Sequence, residues 1–221
     1  MSESSRPARE TSPWHEPSDV ASLIADLAHP DGVRRECARR ALVRIGKPAV
    51  PELTRLLRAP RRQMRWEAAK ALGRIADISS APALVHALED KDSDVRWLAA
   101  VGLVAIGPDA LPPLLRALLE QRESNWLWEG AHHVCHDLCR RYADKHACRM
   151  LAALNTPEPD LAVAPAAHAV LSALEASRGP GPPRPAGEPE KGGRRKAEGG
   201  EENAGLESGP PPSAVHRPPS R

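Results

Sequence analysis

Leucine recurs along this chain on a fixed ruler. Leu23, Leu53, Leu84 and Leu114 stand 30, 31 and 30 residues apart, and Leu27, Leu57, Leu88 and Leu118 echo them four positions later. A second block keeps the same period, as Arg35, Arg65, Arg96; Ala38, Ala68, Ala99; Leu42, Leu72, Leu103; and Ile45, Ile75, Ile106. Self-similarity on the order of 20–50 residues marks a stacked repeat architecture. The i, i+4 leucines predict a short first helix in each unit, as in PELTRLL (51–57) and PALVHAL (82–88). Pro51, Pro82 and Pro112 stand just before or within its first turn, where a missing N–H costs nothing. Polar turns follow at 29–32, 59–63 and 90–94, the last with Asp94 placed to cap the next helix. The second helix presents Val95, Ala99, Leu103 and Ile106 on one face, at spacings that a helix unites and a strand scatters. Gly46 and Gly107 directly after the final Ile predict left-handed caps, and Ala68, Ala69, Ala99 and Ala100 let neighbouring helices approach closely. The pattern predicts an all-α solenoid.

The runs MRWEAAKALGRIAD (64–77) and VRWLAAVGLVAIGPDALPPLLRAL (95–118) resemble HEAT repeats, in the short bacterial, phycobilisome-lyase-like form. That form reads Val-Arg-x-x-Ala-Ala-x-x-Leu-Gly-x-Ile before a proline-led leucine helix. The resemblance extends from about residue 23 to 120 and weakens through 121–176. It implies a right-handed α-solenoid of four to five two-helix units. It also implies a binding scaffold, with bilin lyases, a di-iron deoxyhypusine hydroxylase and DNA glycosylases as the enzymatic minority. The hydroxylase pattern requires repeated His-Glu pairs, whereas this chain's one such pair is His15-Glu16, ahead of the repeats.

Composition sets the limits of the ordered body. Residues 178–221 hold 10 Pro and 9 Gly among 44 residues, too little apolar surface to offset chain entropy. The reading is a disordered leader over 1–18, a repeat domain over 19–177 and a disordered tail over 178–221. The polar N-terminus is no secretory signal, and no apolar run reaches the ~18–20 residues that a bilayer span needs. Four cysteines at 37, 135, 139 and 148 make no disulfide framework, which points to a reducing cytoplasm.

Trp66, Trp97 and Trp128 also keep the ruler, with Trp126 beside the last. Trp97 lies about 160° around its helix from Ala99, away from its own repeat's core. That direction leads either to the neighbouring unit or to an open surface that anchors a partner. The expectation is packing for Trp66 and Trp97, and exposure for Trp128. Charge is segregated: residues 34–74 hold 13 Lys or Arg against three acids, whereas 75–129 hold four against nine. Arg40 and Arg44 align with Lys70 and Arg74, predicting a basic stripe across successive helices. Clustered positive charge attracts an acidic protein surface first and a nucleic-acid backbone second, since the whole chain is only +2. Arg35, Arg65 and Arg96 belong to the repeat pattern and are expected to bind turn carbonyls or carboxylates.

Residues 129–148 gather His, Cys and acids, and Glu129, His132, His136 and Cys139 fall along one helical flank as the nearest thing to a metal stripe. No CxxC or HExxH spacing accompanies them, Cys135 replaces Val104 on the ruler as a small hydrophobe, and no metal or other cofactor is assigned. No GxSxG, phosphate loop or Ser/His/Asp constellation is present. The chain reads as a binding scaffold rather than an enzyme. Its candidate surface comprises Arg40, Arg44, Lys70, Arg74, Trp97, Trp126 and Trp128.

Overall fold

The computed structural model describes residues 19–121 and 124–177. Within them lie ten α-helices and no strand. They are α1 (Val20–Asp26), α2 (Gly32–Ile45), α3 (Val50–Leu56), α4 (Arg62–Ile75), α5 (Ala81–Ala87), α6 (Ser93–Ile106), α7 (Leu111–Glu120), α8 (Asn125–Tyr142), α9 (Lys145–Leu154) and α10 (Pro159–Ser177). The chain divides into a unit spanning 1–181 and another spanning 182–221. The second unit, with the predicted leader and tail, lies outside the described residues.

Local chemistry sets the helix ends. Pro51, Pro82 and Pro112 occupy first turns of α3, α5 and α7, as the sequence predicts. Side-chain caps open several helices: Asp31 accepts from Val33 N–H, Asp144 from His146 and Ala147 N–H, and the Ser124 hydroxyl from Leu127 N–H. For α6 the cap is Asp92, which accepts from Asp94 and Val95 N–H. Asp94 is therefore not the capping residue. It sits inside the first turn, where its carboxylate meets Arg62. Gly46 and Gly107 end α2 and α6 at φ 73° and 89°. The corresponding corner after α4 begins instead with Ala76, in the left-handed region at φ 53° and ψ 36°. That corner, 76–80, is one residue longer than 46–49 and 107–110, which places the 31-residue step among the leucines, between Leu53 and Leu84.

Each helix pair shares one apolar seam. Leu23, Leu53, Leu84 and Leu114 are buried, with Leu42, Leu72 and Leu103 facing them and Ala38, Ala68 and Ala99 between. The second helices stack in order, α2 on α4, α4 on α6 and α6 on α8, while α1 packs on α3 and α5 on α7. The consensus arginines fasten the turns. Arg35 donates to the carbonyls of His29 and Pro30, and Arg65 to those of Ala59 and Pro60 and to both carboxylate oxygens of Asp90. Arg96 donates to the Asp90 carbonyl. The structural assignment made from the repeat pattern is thus the observed one.

After α8 the repeat order reverses. A continuing array would set α9 on α7, yet α9 packs on α8 and α10 returns to pack on α7 and α9. The regular units therefore number four, and the fifth pair is inverted. Only Ala143 and Asp144 separate α8 from α9, and so short a connection holds the second helix beside the first. Cys139 and Cys148 form a disulfide across the same junction. The expectation that the cysteines stay unpaired is corrected at this pair. Cys37 is free and exposed, and Cys135 is free and buried, its thiol pushed up to about 12 chiefly by desolvation.

Candidate protein-binding face

The second helix of each unit turns one flank away from its apolar seam. Position by position, this flank reads Glu36, Arg40, Arg44 on α2; Trp66, Lys70, Arg74 on α4; and Trp97, Val101, Ala105 on α6. Arg40, Arg44, Arg74, Trp97, Val101 and Ala105 are exposed, and Trp66 and Lys70 are half-buried. A carboxylate stands among these cations: Glu36 lies 4.0 Å from Arg40.

The tryptophans divide differently from the expectation. Trp66 is half-buried as expected, with the Lys70 ammonium 4.3 Å from its ring centroid and the Arg39 guanidinium 5.7 Å away. Trp97 is 59% exposed, contrary to the packing expected for it. The cause is local. On the ruler, the two side chains that cover Trp66 correspond to Ala69 and Val101, both too short to close over Trp97. Trp128, expected to be exposed, is half-buried against the core, and its Nε1 is buried without a hydrogen-bond partner. Trp126 is 46% exposed at the start of α8, with the Arg96 guanidinium 4.7 Å from its ring. Sequence spacing places Trp66, Trp97 and Trp128 at equivalent positions. The sequence signal for an uncovered Trp97 is the pair of short side chains at Ala69 and Val101.

The His/Cys segment is dispersed among other partners. His132 Nε2 donates to the Asn155 side-chain oxygen at 2.9 Å, and His136 Nδ1 stands 3.2 Å from Asp137, which also pairs with Arg141 at 3.1 Å. Cys139 is bonded to Cys148, so its sulfur is no metal ligand in this structure. Glu129 is exposed. Among the described residues no group of three or more His, Cys, Asp or Glu is placed to hold a metal ion, and no helix is long and apolar enough to cross a membrane.

One cavity, of about 370 Å³, opens elsewhere, between the ends of α3 and α5. The Arg65–Asp90 pair contributes to its wall, beside Leu57, Ala83, Ala87 and the exposed His86.

Comparison with known proteins matches residues 20–103, and again 50–131, to HEAT repeats. No curated protein matches the chain. Two crystal structures of engineered proteins from the Northeast Structural Genomics Consortium are similar to it. One is 20% identical, over 71% of this chain and 81% of that chain, with a TM-score of 0.40. The other is 21% identical, over 71% of this chain and 47% of that one, with a TM-score of 0.35.

Proposed function

Since the chain belongs to the HEAT-repeat family, we propose that it is a non-catalytic scaffold that binds a protein partner through the outward flank of α2, α4 and α6. The observation that carries this reading is Trp97. A large aromatic side chain 59% exposed in the middle of an array, one turn from exposed Val101, leaves apolar area in water that a partner removes. Arg40, Arg44, Lys70 and Arg74 lie to one side of it on the preceding helices, which favours an acidic partner and speeds encounter with it. Trp126, under Arg96 at the start of α8, is a second exposed aromatic side chain and is kept in the candidate set. Trp128 is left out of the binding set because it is engaged with the core. The phycobilisome-lyase-like subtype rests on the sequence motif. Work in the cytoplasm is part of the proposal, and there glutathione would keep Cys139–Cys148 in exchange with its dithiol.

The test uses the full chain as bait, in three forms: unaltered, Trp97→Ala, and the charge reversal Arg40→Glu/Arg44→Glu/Lys70→Glu/Arg74→Glu. Thermal melts within a degree or two of the parent establish that the variants fold. A protein captured by the parent and lost by both variants supports the reading. Capture unchanged in both variants overturns it. Recovery dominated by nuclease-sensitive nucleic acid moves the assignment to the second class of partner that the basic stripe can serve.

A further inference from the structure

Resting on that reading, we propose that the occupant of this face is an extended acidic peptide segment with a single large apolar residue, laid across the array so that its apolar side chain sits on Trp97 and Val101 and its carboxylates meet Lys70 and Arg74, then Arg40 and Arg44.

The chemistry of the flank changes from helix to helix, and that change selects the ligand. Exposed apolar surface is concentrated on α6, at Trp97, Val101 and Ala105. On α4 the equivalent aromatic, Trp66, is already covered by Arg39 and Lys70, so that helix offers cations and no apolar anchor. On α2 the same position is Glu36, which stands by Arg40. An amphipathic helix docking in a groove brings apolar residues at i, i+3, i+4 and i+7 and needs a continuous apolar trough to receive them. This face lacks such a trough. It fits a polar segment with one anchor.

Spacing follows from the stack. The axes of packed helices stand about 8–10 Å apart, and an extended chain of polyproline type advances about 3.1 Å per residue with about three residues per turn, which returns every third side chain to one face. One unit of the array therefore spans about three ligand residues. With the apolar side chain on α6, a carboxylate three residues away reaches α4 and another six residues away reaches α2. A helical ligand, rising about 1.5 Å per residue, would need roughly twice those separations. The excess of cations over acids in residues 34–74 favours carboxylates at both positions, and Glu36 places the stronger demand on Lys70 and Arg74.

The probes are fluorescein-labelled 11-residue Gly/Ser peptides carrying one Trp and pairs of Glu centred three and six residues from it, made in both chain directions. Fluorescence anisotropy against the full-length protein is expected to show saturable binding for one direction. Moving the acids to one and two residues from the Trp, or replacing them with Lys, is expected to weaken it at least tenfold. Trp97→Ala and Lys70→Glu/Arg74→Glu are each expected to do the same, while Arg116→Glu, away from the flank, leaves it unchanged. Equal affinity for the relocated acids overturns the spacing, and tighter binding of a peptide with acids at six and twelve residues replaces the extended ligand with a helical one. Displacement of the peptide by a 12-residue oligothymidine at lower concentration also overturns the proposal. If no peptide binds but Trp97→Ala and the charge reversal still abolish protein capture, the extended ligand falls and the binding face stands. If capture is also unaffected, both fall.

Discussion

The junction between α2 and α4 and the junction between α4 and α6 use equivalent positions of the repeat, yet one is closed by buried charge and the other by bare backbone. In the first, Arg39 donates to Glu67, which is 2% exposed and also accepts from Gln63 at 3.0 Å and lies 3.4 Å from Arg35. In the second, the same positions are Ala69 and Leu98, both buried. Four residues on, Val43 and Ala71 of the first junction become Gly73 and Gly102. A Cβ built on Gly102 would lie 3.3 Å from Cα of Gly73 and 3.1 Å from Cδ1 of Leu84. At the second junction charge meets at the helix starts: Arg62 of α4 pairs at the rim with the α6 cap Asp92 and with Asp94, and Arg65 pairs with Asp90 in the turn before α6. A repeat thus fixes where neighbours meet and leaves open how the contact is made.

The largest expected effect comes from breaking the charged junction. Glu67→Ala leaves Arg39 buried without its carboxylate and should cost about 3–5 kcal/mol by urea denaturation. The double variant Arg39→Ala/Glu67→Leu copies the Ala69/Leu98 pairing. It should recover most of that loss, because replacing a buried ion pair by apolar packing is often neutral or stabilising. Arg35 keeps its bonds to the His29 and Pro30 carbonyls in both variants. If Glu67→Ala and the double variant lose equally, the junction depends on more than the pair.

A smaller loss is expected where the backbones touch. Gly102→Leu puts a side chain against Gly73 and Leu84 with no room to move aside, and overpacking of this kind costs about 1–3 kcal/mol. The same measurement on Val43→Leu, at the looser junction where the side chain is half-buried, should show less than half that change.

These contrasts show what the sequence made legible. Period, helix pairs, prolines, Gly46, Gly107 and the turn-binding arginines were all readable, because each depends on chemistry within a few residues or on a column repeated in phase. The fate of Trp66, Trp97 and Trp128 was not. Equivalent positions share a direction, but exposure depends on side chains from two helices, Arg39 and Lys70 over Trp66 against Ala69 and Val101 beside Trp97. The reversal at α9 was hidden for a related reason. Amphipathicity says that a helix has a buried face, not which of two layers receives it, and the two-residue link after Tyr142 makes that choice. The basic stripe was legible as a stripe, whereas Glu36 entered it as the ruler's counterpart of Trp66.

The rim pairs of the second junction add a pH-dependent contrast. The Asp92 carboxyl is held below the usual carboxylate range, first by its hydrogen bond from Arg62 and further by the N–H groups of Val95 and Asp94. Because the folded value is depressed, its contribution is full above the unfolded carboxylate value near ~3.9 and is lost as pH falls through the lower folded one. Asp92→Asn should therefore flatten the fall of the melting temperature between about pH 4 and pH 2 relative to the parent. The same acid limb in the Arg39→Ala/Glu67→Leu background should change by the same amount, since the two sites share no partner.

The smallest effect is expected at Ala76, in the corner that follows α4. Gly46 closes α2 at φ 73° and ψ −133°, a region that is essentially glycine's alone, and Gly107 closes α6 at φ 89° and ψ −158°. Ala76 closes α4 in the ordinary left-handed well, at φ 53° and ψ 36°, with its N–H bonded to the Leu72 carbonyl at 2.8 Å. The additional residue in 76–80 is what permits this gentler turn, so the 31-residue step and the absence of glycine there have one cause. Ala76→Gly relieves a left-handed alanine, worth roughly 1 kcal/mol, and adds unfolded-chain entropy that offsets roughly 0.5–1 kcal/mol of it. The net should lie within about 0.5 kcal/mol of zero, read as a shift in urea midpoint at unchanged slope. Gly46→Ala is the reference, because nothing lies within 4 Å of its built Cβ and any loss is conformational. That variant should lose about 1–3 kcal/mol, and equal losses at 46 and 76 would show that corner length does not set the backbone conformation.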